Sequence, residues 1–324
     1  MAGRKQHFIQ RLLLRGFSFD AHQDPCHVWV HKRDGKIFAP ALEGYGAERD
    51  FYGHPEESDL DSRMTDIESN KFNAFLKDLR RGPDRCIDPE LASDFAIHVF
   101  LRSKNFRSMQ AAGVEPLVTR IRDILKSGAM VEKLLLSGAR EAQTDPALQG
   151  FIKDRVNKRR PQIQSYLDNL SRMASQLVTN QHRQVLQARL NDLSGTRRAQ
   201  MLGLQWNVVT TVNDLVLGDS VVFAELTNGT YKPVTEPNDA LARIWLPIQC
   251  SRVLVGSAPG HDLPPDASRI NQGAAACSFD AFCASTGPET HKHLTPLIRT
   301  CTFSLDDAAI ERVLQNAFAR IGFQ

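Results

Sequence analysis

Gly203-Leu204-Gln205-Trp206-Asn207-Val208-Val209-Thr210 is the stretch whose reading decides the fold. Leu204, Trp206, Val208 and Thr210 fall on alternate positions and so share one face of a strand, where side chains repeat every two residues. Upstream, from about Asp59 to Gly203, the pattern is helical. Downstream the period of two persists through Leu215 to Gly218, Ser220 to Leu226, Ala242 to Ile248 and Arg252 to Gly256. Asn-Gly and Glu-Pro-Asn-Asp turns separate these strands. The switch of period at Gly203 predicts a chain that mixes helices and strands without alternating them regularly.

Working back from it, one helix is expected near Asp59 to Arg81, stopped by Gly82-Pro83. A second begins after Asp88-Pro89, with proline in its first turn, and reaches about Ala111. Shorter helices follow at Glu115 to Lys126 and Ala129 to Gln143. Another starts at Thr144-Asp145-Pro146, and Pro161 divides the helical stretches before Ser194. At the start of the chain Lys5 to Gly16 reads as an amphipathic helix carrying Phe8, Leu12 and Leu13. Cys26 to His31 and Lys36 to Ala41 then form a β-hairpin about Arg33-Asp34-Gly35, because Asp-Gly supplies the positive φ of a tight turn. Beyond the later strands come a loop from Ala258 to Asp266, a helix of small residues near Ile270 to Ala284 and an amphipathic helix from Asp306 to Ile321. The expectation is an α+β protein. The hairpin (residues 1–58) and the mainly antiparallel later strands (204–324) share a β-rich unit, with a helical bundle (59–203) packed against it.

The 324 residues suffice for a sizeable core. Against 37 acidic residues stand 40 Lys and Arg, a net +3, which by itself implies neither a nucleic-acid nor a membrane partner. The first residues lack the apolar core of a signal peptide, and no apolar run approaches the roughly 20 residues of a membrane span, so a cytoplasmic protein is expected. The six cysteines form no C-x-x-C pair and read as reduced packing residues. Cys283 with His291 and His293 is the best zinc alternative, at poor spacing. No phosphate-binding P-loop, dinucleotide fingerprint, nucleophile elbow or H-E-x-x-H occurs, which disfavours motor ATPases, Rossmann dehydrogenases, α/β-hydrolases and zincins. No cofactor is assigned by any motif.

Several short blocks resemble a bacterial domain-of-unknown-function family, number 4238. They are His7-Phe8-Ile9-Gln10-Arg11 with Phe17, Ala47-Glu48-Arg49-Asp50-Phe51-Tyr52, Ile67-Glu68, Phe100-Leu101-Arg102 with Arg107, Trp206, and Leu217-Gly218-Asp219-Ser220-Val221. Two departures stand out: Gln10 replaces the proline of the family's opening, and Gly218 and Val221 replace the serine and proline around Asp219. The resemblance implies a shared fold and a bacterial or phage origin, and no activity.

Seven residues are candidates for chemistry. On a helix His7 and Arg11 would share a face, forming either an anion site or a brace for the hairpin. In the helix after Pro89, His98 and Arg102 lie beside the apolar stripe of Leu91, Phe95, Val99, Phe106 and Met109, so Arg102 needs a partner. Glu68 is its expected mate, as a structural ion pair or as part of a cleft that Arg107 also serves. Asp219 is either a turn residue or a site carboxylate at a strand end. The basic run Lys153 to Arg160, continuing to Arg198, is either a solvated face or a track for phosphates, with Tyr166 its one aromatic between Phe151 and Trp206. The favoured function is a protein that binds or processes a phosphorylated or nucleic-acid ligand. His7, Glu68 and Asp219 would do acid–base work, and Arg11, His98, Arg102 and Arg107 would hold the ligand. The alternative is a non-catalytic interaction or sensor protein with a protein partner, as in bacterial defence.

Overall fold

A computed structural model describes residues 5–52, 60–108, 146–158, 178–180, 182–188, 196–233, 239–262 and 264–301, with positions 111, 119, 169, 176 and 235 besides. The chain is α+β, and it divides into two compact units. One unit joins Met1–Ser108 to His182–Phe303, and the other joins Met109–Gln181 to Ser304–Gln324. Within the second lies the helix Pro146–Lys158, which starts at the expected proline. The helices expected at 115–126, 129–143 and 306–321 lie outside the described residues.

The first unit opens on strand β1 (Lys5–His7), followed by helix α1 (Arg11–Arg15). This corrects the single helix expected from Lys5 to Gly16. The cause is long-range: β1 pairs antiparallel with β4 (Ala47–Arg49), in the register Lys5↔Arg49 to His7↔Ala47. Phe8 and Ile9 then both donate their backbone N–H to the Gly46 carbonyl, where Gly46 holds φ +70°. Between these two strands sits the hairpin of β2 (Trp29–Lys32) and β3 (Ile37–Phe38), closed at Gly35 with φ +83°, as the Asp-Gly signal requires.

Helix α2 (Leu60–Ile67) passes through a π-helical turn, Glu68–Phe72, into α3 (Asn73–Arg81). Gly82 ends it. After β5 (Arg85–Ile87), Asp88 caps helix α4 (Pro89–Arg102) by accepting the Leu91 N–H. Helix α4 stops nine residues short of the expected Ala111, because Ser103 turns extended and its Oγ accepts the Phe106 N–H at 3.2 Å, capping a fresh helical turn.

The remaining elements are α6 (Thr196–Leu202), β6 (Gln205–Thr210), β7 (Leu217–Gly218), β8 (Phe223–Leu226), β9 (Tyr231–Lys232), β10 (Leu241–Gln249), β11 (Arg252–Ser257), α7 (Ala267–Ala276) and β12 (Ala281–Ala284); α5 is the helix of the second unit. All pairings are antiparallel, in sheets ordered β5-β6-β11-β10-β8-β9 and β3-β2-β12-β7 beside the β1-β4 pair. Leu204, just before β6, and Trp206 and Val208 within it are buried in alternation, as their spacing predicts, while Thr210 at the strand end is exposed. The small-residue helix ends at Ala276 rather than Ala284. Residues 281–284 are drawn instead into a sheet, with β2 on one side and β7 on the other. Among the described residues no helix is long and apolar enough to cross a membrane.

Candidate functional site

Within the first unit, β1, α1 and the helical run α2–α3 surround a hollow of about 390 Å³. One wall carries Lys5, His7, Gln10, Arg11 and Arg15; the other carries Asp61, Thr65, Ser69 and Asn73. Glu68 and Arg102 also line it. The wall of α1 is held in place by Arg80. Its guanidinium donates to the carbonyls of Leu12 (2.8 Å) and Leu13 (2.9 Å), two acceptors near the helix end, and to Ile248 O on β10 (2.8 Å). Burial lowers Arg80 to about 10, still far above neutrality, so it stays charged.

Arg102 organises the floor. It is 3% exposed and ion-paired with Glu68, as expected from the two helices. Its Nε donates to Tyr52 Oη (2.8 Å) and its Nη2 to the His7 carbonyl (2.6 Å). Tyr52 Oη also donates to the His7 carbonyl, at 2.8 Å, while the Tyr52 N–H reaches Gln6 Oε1 at 2.5 Å. The acidic-aromatic block and the opening block of the sequence thus meet on one guanidinium. Nε and Nη2 of Arg102 are committed to protein acceptors and its guanidinium is ion-paired with Glu68, so it fixes the position of His7.

Glu68 Oε1 accepts from Gln10 Nε2 (2.9 Å) and from His98 Nε2 (3.2 Å) as well as from Arg102. Its second oxygen, Oε2, has no partner among the described residues. His98 is buried, and burial followed by the charge of Lys71 lowers it to about 3. It is therefore a neutral ring, which can bond a carboxylate only by carrying its hydrogen on Nε2. His98 supports Glu68 from behind and does not itself line the hollow.

His7 does line the hollow. Desolvation first, then the charges of Arg102, Arg11 and Lys5, lower it to about 4, against a smaller opposite pull from Glu43. Its Nε2 is shielded from solvent and has no hydrogen-bond partner. Arg11, on the helix rather than in the strand with His7, is ion-paired with exposed Glu43. Lys5 and Arg15 have no ion-pair partner among the described residues. Asp61, half-buried, has its carboxyl raised by desolvation, with Arg102 opposing.

The other two candidates lie elsewhere. Asp219 is not a lining residue: its Oδ1 accepts the N–H of Phe279 (2.6 Å), and its Oδ2 accepts those of Asp280 (2.8 Å) and Ala281 (3.1 Å). This bracket pulls the chain out of α7 and into β12. Burial pushes the Asp219 carboxyl up to about 6 despite these donors. Beside it Val221 holds φ +64°, and Val222 N–H reaches back to Ser220 O at 2.7 Å. A proline, locked near −65°, has no access to that conformation. Arg107 packs its guanidinium 4.8 Å from the Phe51 ring and bonds Phe51 O.

Reading the sequence missed Lys5, Arg15 and the row Asp61, Thr65, Ser69, Asn73. The row was there to be found, as four polar residues at steps of four. Gln10 carried no such signal. Among the described residues no group of three or more His, Cys, Asp or Glu side chains is placed to hold a metal ion.

Fold and site together define an α+β protein with a small hollow lined mainly by polar residues, where an imidazole with a shielded Nε2 is pinned through its own backbone by an arginine–glutamate ion pair. The chain matches the family described as "Protein of unknown function (DUF4238)" over residues 5–300, and it belongs to that family. No curated protein and no solved structure matches it.

Proposed function

We propose that the hollow binds a small phosphorylated ligand and that His7 exchanges a proton with it. The observation that carries this reading is the gathering of the cations Lys5, Arg11 and Arg15 on one wall of the hollow, with the His7 ring beside them and its Nε2 shielded and without a partner. A shielded nitrogen with nothing to bond is costly, by about 1–3 kcal/mol, unless a ligand completes it. At neutral pH the ring is uncharged, and a bound phosphate dianion raises its basicity from about 4 toward the range in which it takes a proton from a ligand hydroxyl. Lys5 and Arg15, without an ion-pair partner among the described residues, supply positive charge for a phosphate. Glu68 Oε2, without a partner among the described residues, can accept a hydrogen bond from the same ligand. A volume of this size suits a small molecule.

Thermal melting in low salt with millimolar AMP, glucose 6-phosphate or inorganic phosphate tests the reading. At ten times the dissociation constant a ligand adds about 1.4 kcal/mol, read as a rise of a few degrees. The rise should be lost in the double variant Lys5→Ala/Arg15→Ala. A melting temperature indifferent to all three anions contradicts the reading.

A further inference from the structure

The two walls of the hollow differ in chemistry, and the difference narrows the ligand. Resting on the phosphate-binding reading above, we infer that the ligand is a phosphorylated carbohydrate, its phosphate toward Lys5 and Arg15 and its hydroxyl groups along the opposite helix. That helix presents Asp61, Thr65, Ser69 and Asn73 to the hollow at a constant interval of four residues. In an uninterrupted α-helix steps of four drift around the axis, because a turn takes 3.6 residues. Here the drift is interrupted by the wider π-helical turn Glu68–Phe72, placed between Thr65 and Asn73. The effect is to keep a carboxylate, two hydroxyls and a carboxamide on one line, each about 6 Å from the next at 1.5 Å of rise per residue.

Such a row offers both acceptors and donors to a polyhydroxyl chain or ring: the Asp61 carboxylate and Thr65 Oγ1, whose own hydrogen goes to the Asp61 carbonyl (2.8 Å), accept, while Ser69 and Asn73 can donate. The Asp61 carboxyl, raised by desolvation, is suited to bond a neutral hydroxyl rather than a second cation. Among the described residues only Leu12 and Leu42 are apolar in the lining, and no Phe, Tyr or Trp ring is there for a nucleobase to stack on. The base of a nucleotide therefore gains little in this hollow, while its sugar and phosphate are accommodated.

Isothermal titration of the full chain with five probes, at low salt, separates the possibilities: inorganic phosphate, glucose, glucose 6-phosphate, ribose 5-phosphate and AMP. Glucose 6-phosphate is expected to bind at least tenfold more tightly than either inorganic phosphate or glucose, with AMP within about threefold of ribose 5-phosphate. In Asn73→Ala, and separately in Thr65→Val, the ratio of glucose 6-phosphate to inorganic phosphate affinity should collapse toward one. Both positions are polar and not buried, and circular dichroism checks that each variant folds. Inorganic phosphate binding as well as the sugar phosphates overturns the carbohydrate assignment and leaves the phosphate reading standing. So does AMP binding more than tenfold tighter than ribose 5-phosphate, which would reveal a base subsite. If no phosphorylated probe binds the folded chain, the phosphate reading fails and this inference fails with it.

Discussion

At the scale of single residues, the pair Glu68–Arg102 ties the hollow to the core. Arg102 is 3% exposed, and taking away its carboxylate leaves a buried charge with only neutral acceptors. Glu68→Gln should therefore lower the unfolding free energy by about 3 kcal/mol, the scale for breaking one side of a buried pair, measured by urea titration. Replacing both as Glu68→Leu/Arg102→Met should cost less than the sum of the single changes, because no orphaned charge remains. A fully additive result would mean the two side chains do not interact. Histidine titration gives a second residue-scale expectation. Burial holds His7, His31 and His182 at about 4 and His98 at about 3, whereas the unfolded chain takes up protons near 6.5. The unfolded state thus binds more protons between those limits, and stability falls as pH drops from about 7 toward 4. Asp219, raised to about 6, acts in the opposite sense below that pH and offsets part of the loss. The melting temperature should decline over this window, and His98→Gln should make the decline shallower; an unchanged slope would contradict the burial assigned to that ring.

At the scale of elements, the site depends on a strand, a short helix and a helix with a π turn being held together. Arg80 holds the short helix. Arg80→Ala leaves the carbonyls of Leu12, Leu13 and Ile248 without their charged donor, and should cost about 2–3 kcal/mol in urea unfolding. Arg80→Lys should recover only part of this, since one ammonium cannot reproduce the planar fork across two elements. Equal stability of wild type and Arg80→Ala would show that α1 is anchored by its apolar face alone. The elements differ in how visible they are to a reader of the sequence. The hairpin at Asp34-Gly35, the stop at Gly82-Pro83 and the start at Asp88-Pro89 rest on local rules of φ and capping, and the structure follows them. The first strand rests on pairing with residues forty or more positions away. Its local pattern of Phe8, Leu12 and Leu13 gives no hint of that partner. Residues 281–284 have no strong propensity of their own and are placed by the Asp219 bracket and two neighbouring strands. The meeting of Glu68 with Arg102 was legible, because a guanidinium beside an apolar stripe demands a carboxylate. The convergence of His7 on that pair was not, since it runs through a backbone carbonyl that any residue possesses.

At the scale of the whole molecule, the first unit contains, among the described residues, all three sheets and every residue that lines the hollow. The net charge of +3 is small, so positive potential at the site comes from Lys5, Arg11 and Arg15 gathered on one wall rather than from the chain at large. Ligand affinity should accordingly fall as salt screens those exposed cations. The shielded His7 ring reports on the occupied hollow most directly. Proton NMR of the imidazoles, with His7 identified among the ten histidines by its loss in His7→Gln, should find it titrating near 4 in the free protein. Added glucose 6-phosphate should move that titration upward, because a nearby dianion favours the imidazolium. A His7 ring that titrates at the ordinary 6.5, or near 4 and unmoved by saturating phosphorylated ligand, would contradict the proposed role of the hollow.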